Sequence, residues 1–320
     1  MKILFVTSTR IGDAVLSTGL LGHLIETHPN SCITVACGPA AVPLFAATPN
    51  VERVIALVKR AAGGHWFALW RTCATTLWDL IVDLRASLIA YLLPARRRFV
   101  LHSRGEVGHR VEGLGRLMEL ESPPAPHLWS TSEQQTEAVR LLPDGGPILA
   151  VGPTAKWPGK QWRAERFGEL AHRLTASNGI LPGARIAIFG GPDEREAAMP
   201  LIESVPEARR IDLVGTLDLL TAHACLKRAW FYVGNDSGLM HIAAAAGCPT
   251  LGLFGPSREG HYAPWGPRAA FVRTERAYDE LIGGPGYDHR VADSLMDSLS
   301  VDAACAAAEA LWARVGRSSS

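Results

Sequence analysis

Short apolar runs rich in β formers alternate with runs of helical spacing along most of this chain, and this constrains the fold more than any other feature. Residues 2–7 form a compact β-type run. Over 14–27, Val15, Leu16, Leu20, Leu24 and Ile25 recur at helical spacing. Strand-like runs follow at 33–37, 51–58, 80–84 and 99–102, with a helical run over 66–77. Ser122-Pro123-Pro124-Ala125-Pro126 reads as a connecting loop, 132–142 as a helix, and Pro143-Asp144-Gly145-Gly146-Pro147 as a breaker. The series then restarts. Strands are expected at 148–151, 185–189, 211–214, 230–233 and 250–254, and helices at 164–175, 194–205, 217–228 and 238–246. A final helical run covers 301–315, before a tail at 318–320 that should fray. Alternation of this kind builds βαβ units, whose crossovers make neighbouring strands parallel. The expected fold class is α/β: two Rossmann-like domains whose parallel sheets face a central cleft. They should cover 1–143 and 144–300, with a C-terminal helix and tail over 301–320. Ligands of such domains sit outside the carboxyl ends of the strands.

The 320 residues suit two domains, and 48% apolar content provides for a sizeable core. Lys plus Arg number 32 against 31 Asp plus Glu, so charge supplies no reason to expect a nucleic-acid partner. The first apolar run is too short for a signal peptide, and Asp13 interrupts the apolar stretch after it. No apolar run reaches spanning length, since Arg71, Asp79, Asp83 and Arg85 break the most apolar region, 65–93. A cytoplasmic protein is expected. Six cysteines without a C-x-x-C pair read as buried free thiols.

Four loops carry the chemistry. Thr9-Arg10-Ile11-Gly12-Asp13 joins the first strand to the first helix. It is not G-x-G-x-x-G, which argues against a dehydrogenase. Gly12 would let the backbone turn or approach a ligand, and Asp13 would sit at the helix N-cap, as a plain cap or as a general base. Gly152-Pro153-Thr154-Ala155-Lys156-Trp157-Pro158-Gly159-Lys160 leads from a strand toward a helix, with two ammonium groups suited to an anion. Gly234-Asn235-Asp236-Ser237-Gly238-Leu239-Met240-His241 opens an Ala-rich helix that Asp236 and Ser237 can cap. Its first amides suit a pyrophosphate. His241 would be either a core histidine or a phosphate donor. Leu253-Phe254-Gly255-Pro256-Ser257 and Phe189-Gly190-Gly191-Pro192-Asp193-Glu194 are further glycine-rich strand exits. A basic cluster, Arg96-Arg97-Arg98 with His102, Arg104, His109 and Arg110, reads either as a solvated loop or as a contact for lipid-core phosphates or anionic headgroups. The preceding run 88–93, with Tyr91, adds an amphipathic character.

Arg10-Ile11-Gly12-Asp13, Lys160-x-Trp162 with Phe167, and Asn235 to His241 with Leu253-Phe254-Gly255-Pro256 together make the chain resemble glycosyltransferase family 9, the lipopolysaccharide heptosyltransferases. The resemblance implies a GT-B fold and an inverting, metal-independent transfer that needs no cofactor. The donor would be a nucleotide sugar, usually ADP-heptose, and the acceptor a lipid A–core saccharide at the inner membrane, where peripheral contact is implied. It assigns Asp13 as catalytic base and Lys160 to the donor phosphate, with Asp236, Ser237, Gly238 and His241 in the donor loop. Thr154, Gly190, Leu239 and Gly255 complete the expected donor site. Arg10, Gly12, Arg96, Arg97 and Arg98 are the expected acceptor contacts. The absence of Asp-x-Asp agrees with a site lacking metal. The stretch 282–287 adds nothing to the likeness. Alternatives are a transferase or epimerase using another nucleotide sugar, and a non-catalytic binder of nucleotide or saccharide; having both Asp13 and Lys160 argues against the latter.

Overall fold

The structure, a computed structural model, describes residues 1–102, 108–283 and 293–316. Arg104, much of the 282–287 stretch and the 318–320 tail lie outside the described residues. The chain divides into two units, Met1–Thr131 and Ser132–Ser320.

The first unit holds β1 (Lys2–Val6), α1 (Ile11–Thr27), β2 (Cys32–Cys37), β3 (Val51–Ala56), α2 (Gly64–Cys73), β4 (Trp78–Asp83), α3 (Ile89–Leu92), β5 (Ala95–Val100) and α4 (Arg110–Leu117). Its sheet has the order β3-β2-β1-β4-β5, and every pairing is parallel. A parallel sheet covered on both faces needs continuous apolar strands, and β1 is buried from Ile3 to Val6. α1 begins at Ile11 with Arg10 as its N-cap, so Asp13 lies in the first turn rather than at the cap. Gly12 is helical and keeps out of the left-handed region, so the sharp turn expected of it does not occur. Arg96, Arg97 and Arg98 lie in β5 rather than in a loop. This is an edge strand, where long cationic side chains reach solvent without leaving the ladder.

The second unit runs α5 (Ser132–Leu141), β6 (Ile148–Gly152), α6 (Ala164–Thr175), β7 (Arg185–Ile188), α7 (Arg195–Ser204), β8 (Arg210–Asp212), α8 (Leu219–Leu226), β9 (Phe231–Asn235), α9 (Gly238–Ala245), β10 (Thr250–Phe254), α10 (Glu259–Tyr262), β11 (Ala269–Arg273), α11 (Tyr278–Ile282) and α12 (Val301–Val315). The sheet order is β11-β10-β9-β6-β7-β8, again parallel throughout. Leu149, Val151, Phe167, Leu170, Ile186, Leu201, Phe231 and Leu251 form its core. α5 packs on α8, and Arg228 Nε donates to Leu142 O at 2.7 Å. The division therefore falls before α5 and not at the 143–147 breaker. α12 buries Ala304, Ala308 and Leu311 in the same core, so it is part of the second unit rather than a separate segment.

Candidate active site

In the second unit the strand order reverses between β6 and β9. Crossovers leave these two strands in opposite directions, which opens a crevice at their carboxyl ends. Gly152-Pro153-Thr154 leaves one strand and Asn235-Asp236-Ser237 leaves the other. Gly152 and Gly234 are register partners, and a Cβ on either would collide with the Tyr232 hydroxyl. That hydroxyl is buried, and burial pushes its pKa up against an opposing effect of the Ser237 hydroxyl.

Asn235 bolts the loops together. Its Nδ2 donates to Pro153 O at 2.7 Å, and its Oδ1 accepts from Trp162 N at 3.0 Å. Trp162 is itself buried, edge-on to Phe167 at 5.0 Å, and its Nε1 donates to Leu299 O at 2.9 Å. The aromatic residues of the Lys160-x-Trp162…Phe167 motif are thus anchors. They hold Lys160, at the end of a single turn over Pro158–Lys160, with Nζ 2.5 Å from Asp236 Oδ2. The carboxylate is 7% exposed and the lysine side chain 27%. An ammonium that is partly open on one side and paired on the other is placed to meet an incoming anion.

Ser237 is the N-cap of α9, but its side chain makes no capping bond, and the Asp236 carboxylate is engaged by Lys160. The expected double cap is therefore absent. The first-turn amides of Gly238, Leu239 and Met240 carry the positive end of the helix dipole without a side-chain cap. Ser237, Gly238 and Leu239 are half-buried, whereas His241 is buried. Thr154, also buried, donates to Glu194 Oε2 at 2.7 Å, and the same oxygen accepts from Gly191 N at 2.8 Å. Glu194, the carboxylate that closes the Gly190-Gly191-Pro192-Asp193-Glu194 exit, stands outside the expected donor-site residues and ties two of the expected loops together. Gly190 O accepts from Gly215 N at 2.9 Å, and Gly255 leaves room for Met296 Sδ.

In the first unit, Asp13 lies beyond the carboxyl end of β1, half-buried, with Ser8 Oγ 3.5 Å from its Oδ2. The exposed Arg10 donates its backbone N–H to Ser8 Oγ at 3.3 Å. Arg10, Gly12 and Asp13 therefore share one place. Arg96, Arg97 and Arg98 do not join them. Register sets Ile3 beside Leu80 and Leu80 beside Arg97, so these arginines lie level with the start of β1. Arg96 Nε is 3.3 Å from Asp79 Oδ1, and Arg97 lies over the Phe99 ring at 4.6 Å. Arg98 donates to Ala90 O, Ala95 O and Leu93 O at 2.7, 3.1 and 2.6 Å, a bracing role. His109 accepts from Val111 N at 3.2 Å and caps α4.

A family model described as glycosyltransferase family 9 (heptosyltransferase) matches residues 111–281, more than half of the chain. Lipooligosaccharide heptosyltransferase 2 of Haemophilus influenzae is 26% identical, over 85% of this chain and 88% of that one. A glycosyltransferase family 9 structure from Veillonella parvula covers 98% of both chains at 20% identity, with a TM-score of 0.80. The E. coli ADP-heptose LPS heptosyltransferase II structure covers 97% of this chain and 98% of its own at 22% identity, with a TM-score of 0.73. The two parallel sheets match the GT-B architecture of these structures. The chain belongs to glycosyltransferase family 9, the heptosyltransferase family, and is a glycosyltransferase.

Proposed function

We propose that this protein transfers a heptose from ADP-heptose to a lipopolysaccharide core saccharide, with inversion at the anomeric carbon. The observation that carries the reading is the meeting of Lys160 with Asp236 beside the first turn of α9, at the switch point of the second sheet. The names of the relatives support the choice of sugar, base and acceptor class. With a lipid-linked acceptor, the enzyme works at the cytoplasmic face of the inner membrane.

The donor diphosphate lies along Thr154, Gly190, Asp236, Ser237, Gly238, Leu239, His241 and Gly255. Its oxygens take hydrogen bonds from the α9 amides and from Lys160. Asp236 holds the ammonium in place until the anion arrives. The acceptor is positioned by Arg10 and Gly12. Asp13 takes the proton of the acceptor hydroxyl as that oxygen attacks the anomeric carbon. The bond from this carbon to the diphosphate oxygen breaks, and ADP departs with the electron pair. Charge then grows on the leaving oxygen, where preorganised donors lower the barrier most.

Asp13→Asn keeps the shape of the side chain and removes the base. Transfer should fall by ~10²-fold or more, with ADP affinity unchanged. Steady-state rates with ADP-heptose and truncated lipopolysaccharide, alongside calorimetric titration with ADP, check both parts. Near-normal turnover in the purified variant would remove Asp13 from this role. Turnover with another nucleotide sugar alone would replace the donor.

A further inference from the structure

We infer that the outer flank of α2 and α3 is a docking surface for an anionic phospholipid bilayer. α3 presents two faces of opposite fate. Ile89, Ala90 and Leu93 are buried with Leu69, Cys73 and Trp78. Leu88, Tyr91 and Leu92, spaced i, i+3 and i+4 on the other face, are 77%, 55% and 63% exposed. Large apolar side chains so grouped signal an interaction surface, where scattered ones would not. α2 extends the patch. Trp70 Nε1 donates to Leu92 O at 3.3 Å, and Phe67, 63% exposed, stacks on Trp70 at 5.8 Å. Two aliphatic and three aromatic side chains therefore share one surface, and the indole is tied to the backbone of α3.

Charge identifies the occupant. Residues 57–98 carry seven Lys and Arg against two Asp, within a chain that is nearly balanced. Asp83 is buried and accepts from Arg85 N, Ser87 N and Ser87 Oγ, and Asp79 is paired with Arg96. Lys59, Arg60, Arg71, Arg96 and Arg97 are exposed. Arg98 is spent on bracing α3 through the carbonyls of Ala90, Leu93 and Ala95, which fixes the apolar side chains outward. Apolar insertion alone is weak and cationic attraction alone is screened, but together they suit a surface of acyl chains beneath anionic headgroups. α3 follows the carboxyl end of β4 and precedes β5, and its exposed side chains are none of the residues assigned above to donor, acceptor or proton transfer.

Co-sedimentation of the full chain with vesicles tests the proposal. It needs neither donor nor acceptor, so its failure leaves the proposed transfer reaction standing. Vesicles of phosphatidylcholine mixed with phosphatidylglycerol should bind the protein, phosphatidylcholine alone should bind it far less, and added salt should weaken binding. Leu88→Ser with Leu92→Ser should lower partitioning about tenfold or more. Arg96→Gln and Arg97→Gln should each lower it about fivefold. The leucine variant should keep its turnover on a delipidated acceptor saccharide. Brominated lipids should quench part of the tryptophan fluorescence of the unaltered protein, a readout that survives any failure of the variants to fold. No binding to the anionic vesicles overturns the proposal, as does equal binding by the leucine variant. A dimer that the leucine variant dissociates would also overturn it, by giving the face to a second copy of the chain.

Discussion

Asn235 holds more of the site than any residue that faces solvent. It is fully buried, and its amide satisfies one carbonyl from the β6 exit and one amide from the Lys160 loop. Truncation would leave both partners buried without a bond. Asn235→Ala should therefore cost about 2–6 kcal/mol of stability, from two unmade bonds at ~1–3 kcal/mol each. It should also weaken ADP binding, because Trp162 and with it Lys160 lose their tether. Denaturant unfolding and ADP titration of one variant read the two effects. An unchanged midpoint would show that Asn235 does not bolt these loops. In the sequence Asn235 was visible only as part of a motif. Nothing local says that its partners stand 82 and 73 residues earlier. Asp13 and Arg10 were legible as a pair because four residues of chain suffice to bring them together. Arg96, Arg97 and Arg98 were grouped with them on charge alone, and register separates them.

At the level of elements, apolar period was a good guide wherever burial is continuous. α6, β10 and α12 coincide with the runs 164–175, 250–254 and 301–315. It failed at edges. β11 and β5 are edge strands with partly exposed residues, and Arg96–Arg98 mask the second as a loop. α8 shows how a polar residue sets an element's start. Asp218 Oδ1 accepts from the backbone N–H groups of Leu220 and Thr221, both at 2.9 Å, and its Oδ2 from Thr221 Oγ1. Burial works against its ionisation, but those hydrogen bonds prevail and hold its pKa below the ordinary carboxylate value. Asp218→Ala should cost about 1 kcal/mol at neutral pH. The sign with pH follows from the lowered value. The stabilisation is present above the unfolded pKa of ~3.9 and is lost as pH falls through the folded one. Thermal melts of both proteins between neutral and strongly acid pH should converge. A gap that stays constant would assign the cost to packing.

For the whole molecule, the thiols report on how tightly the two cores close. Burial pushes Cys37 and Cys225 up to about 12 and Cys73 up to about 11. Raised values mean stability that is complete below the unfolded pKa of ~8.5 and drains away as pH rises through the folded ones. Melting temperature should fall steeply above about pH 9. A thiol reagent near pH 8 should meet these three only on unfolding, while the half-buried Cys32 and Cys305 react first. Rapid native labelling of Cys37, Cys73 and Cys225 would contradict the packing. The features that the sequence determined by itself were the βαβ alternation, the two series, the glycine-rich strand exits and the residue types able to hold a diphosphate. These depend on spacing over a few residues, which local periodicity and turn chemistry record. Only the tertiary structure decided that β6 and β9 lie side by side, and so that Lys160 meets Asp236, 76 residues later. It also decided that the arginines of β5 stand level with the start of β1 rather than with Asp13. Strand order and register are settled by how whole layers pack on one another, and no local stretch of chain carries that information.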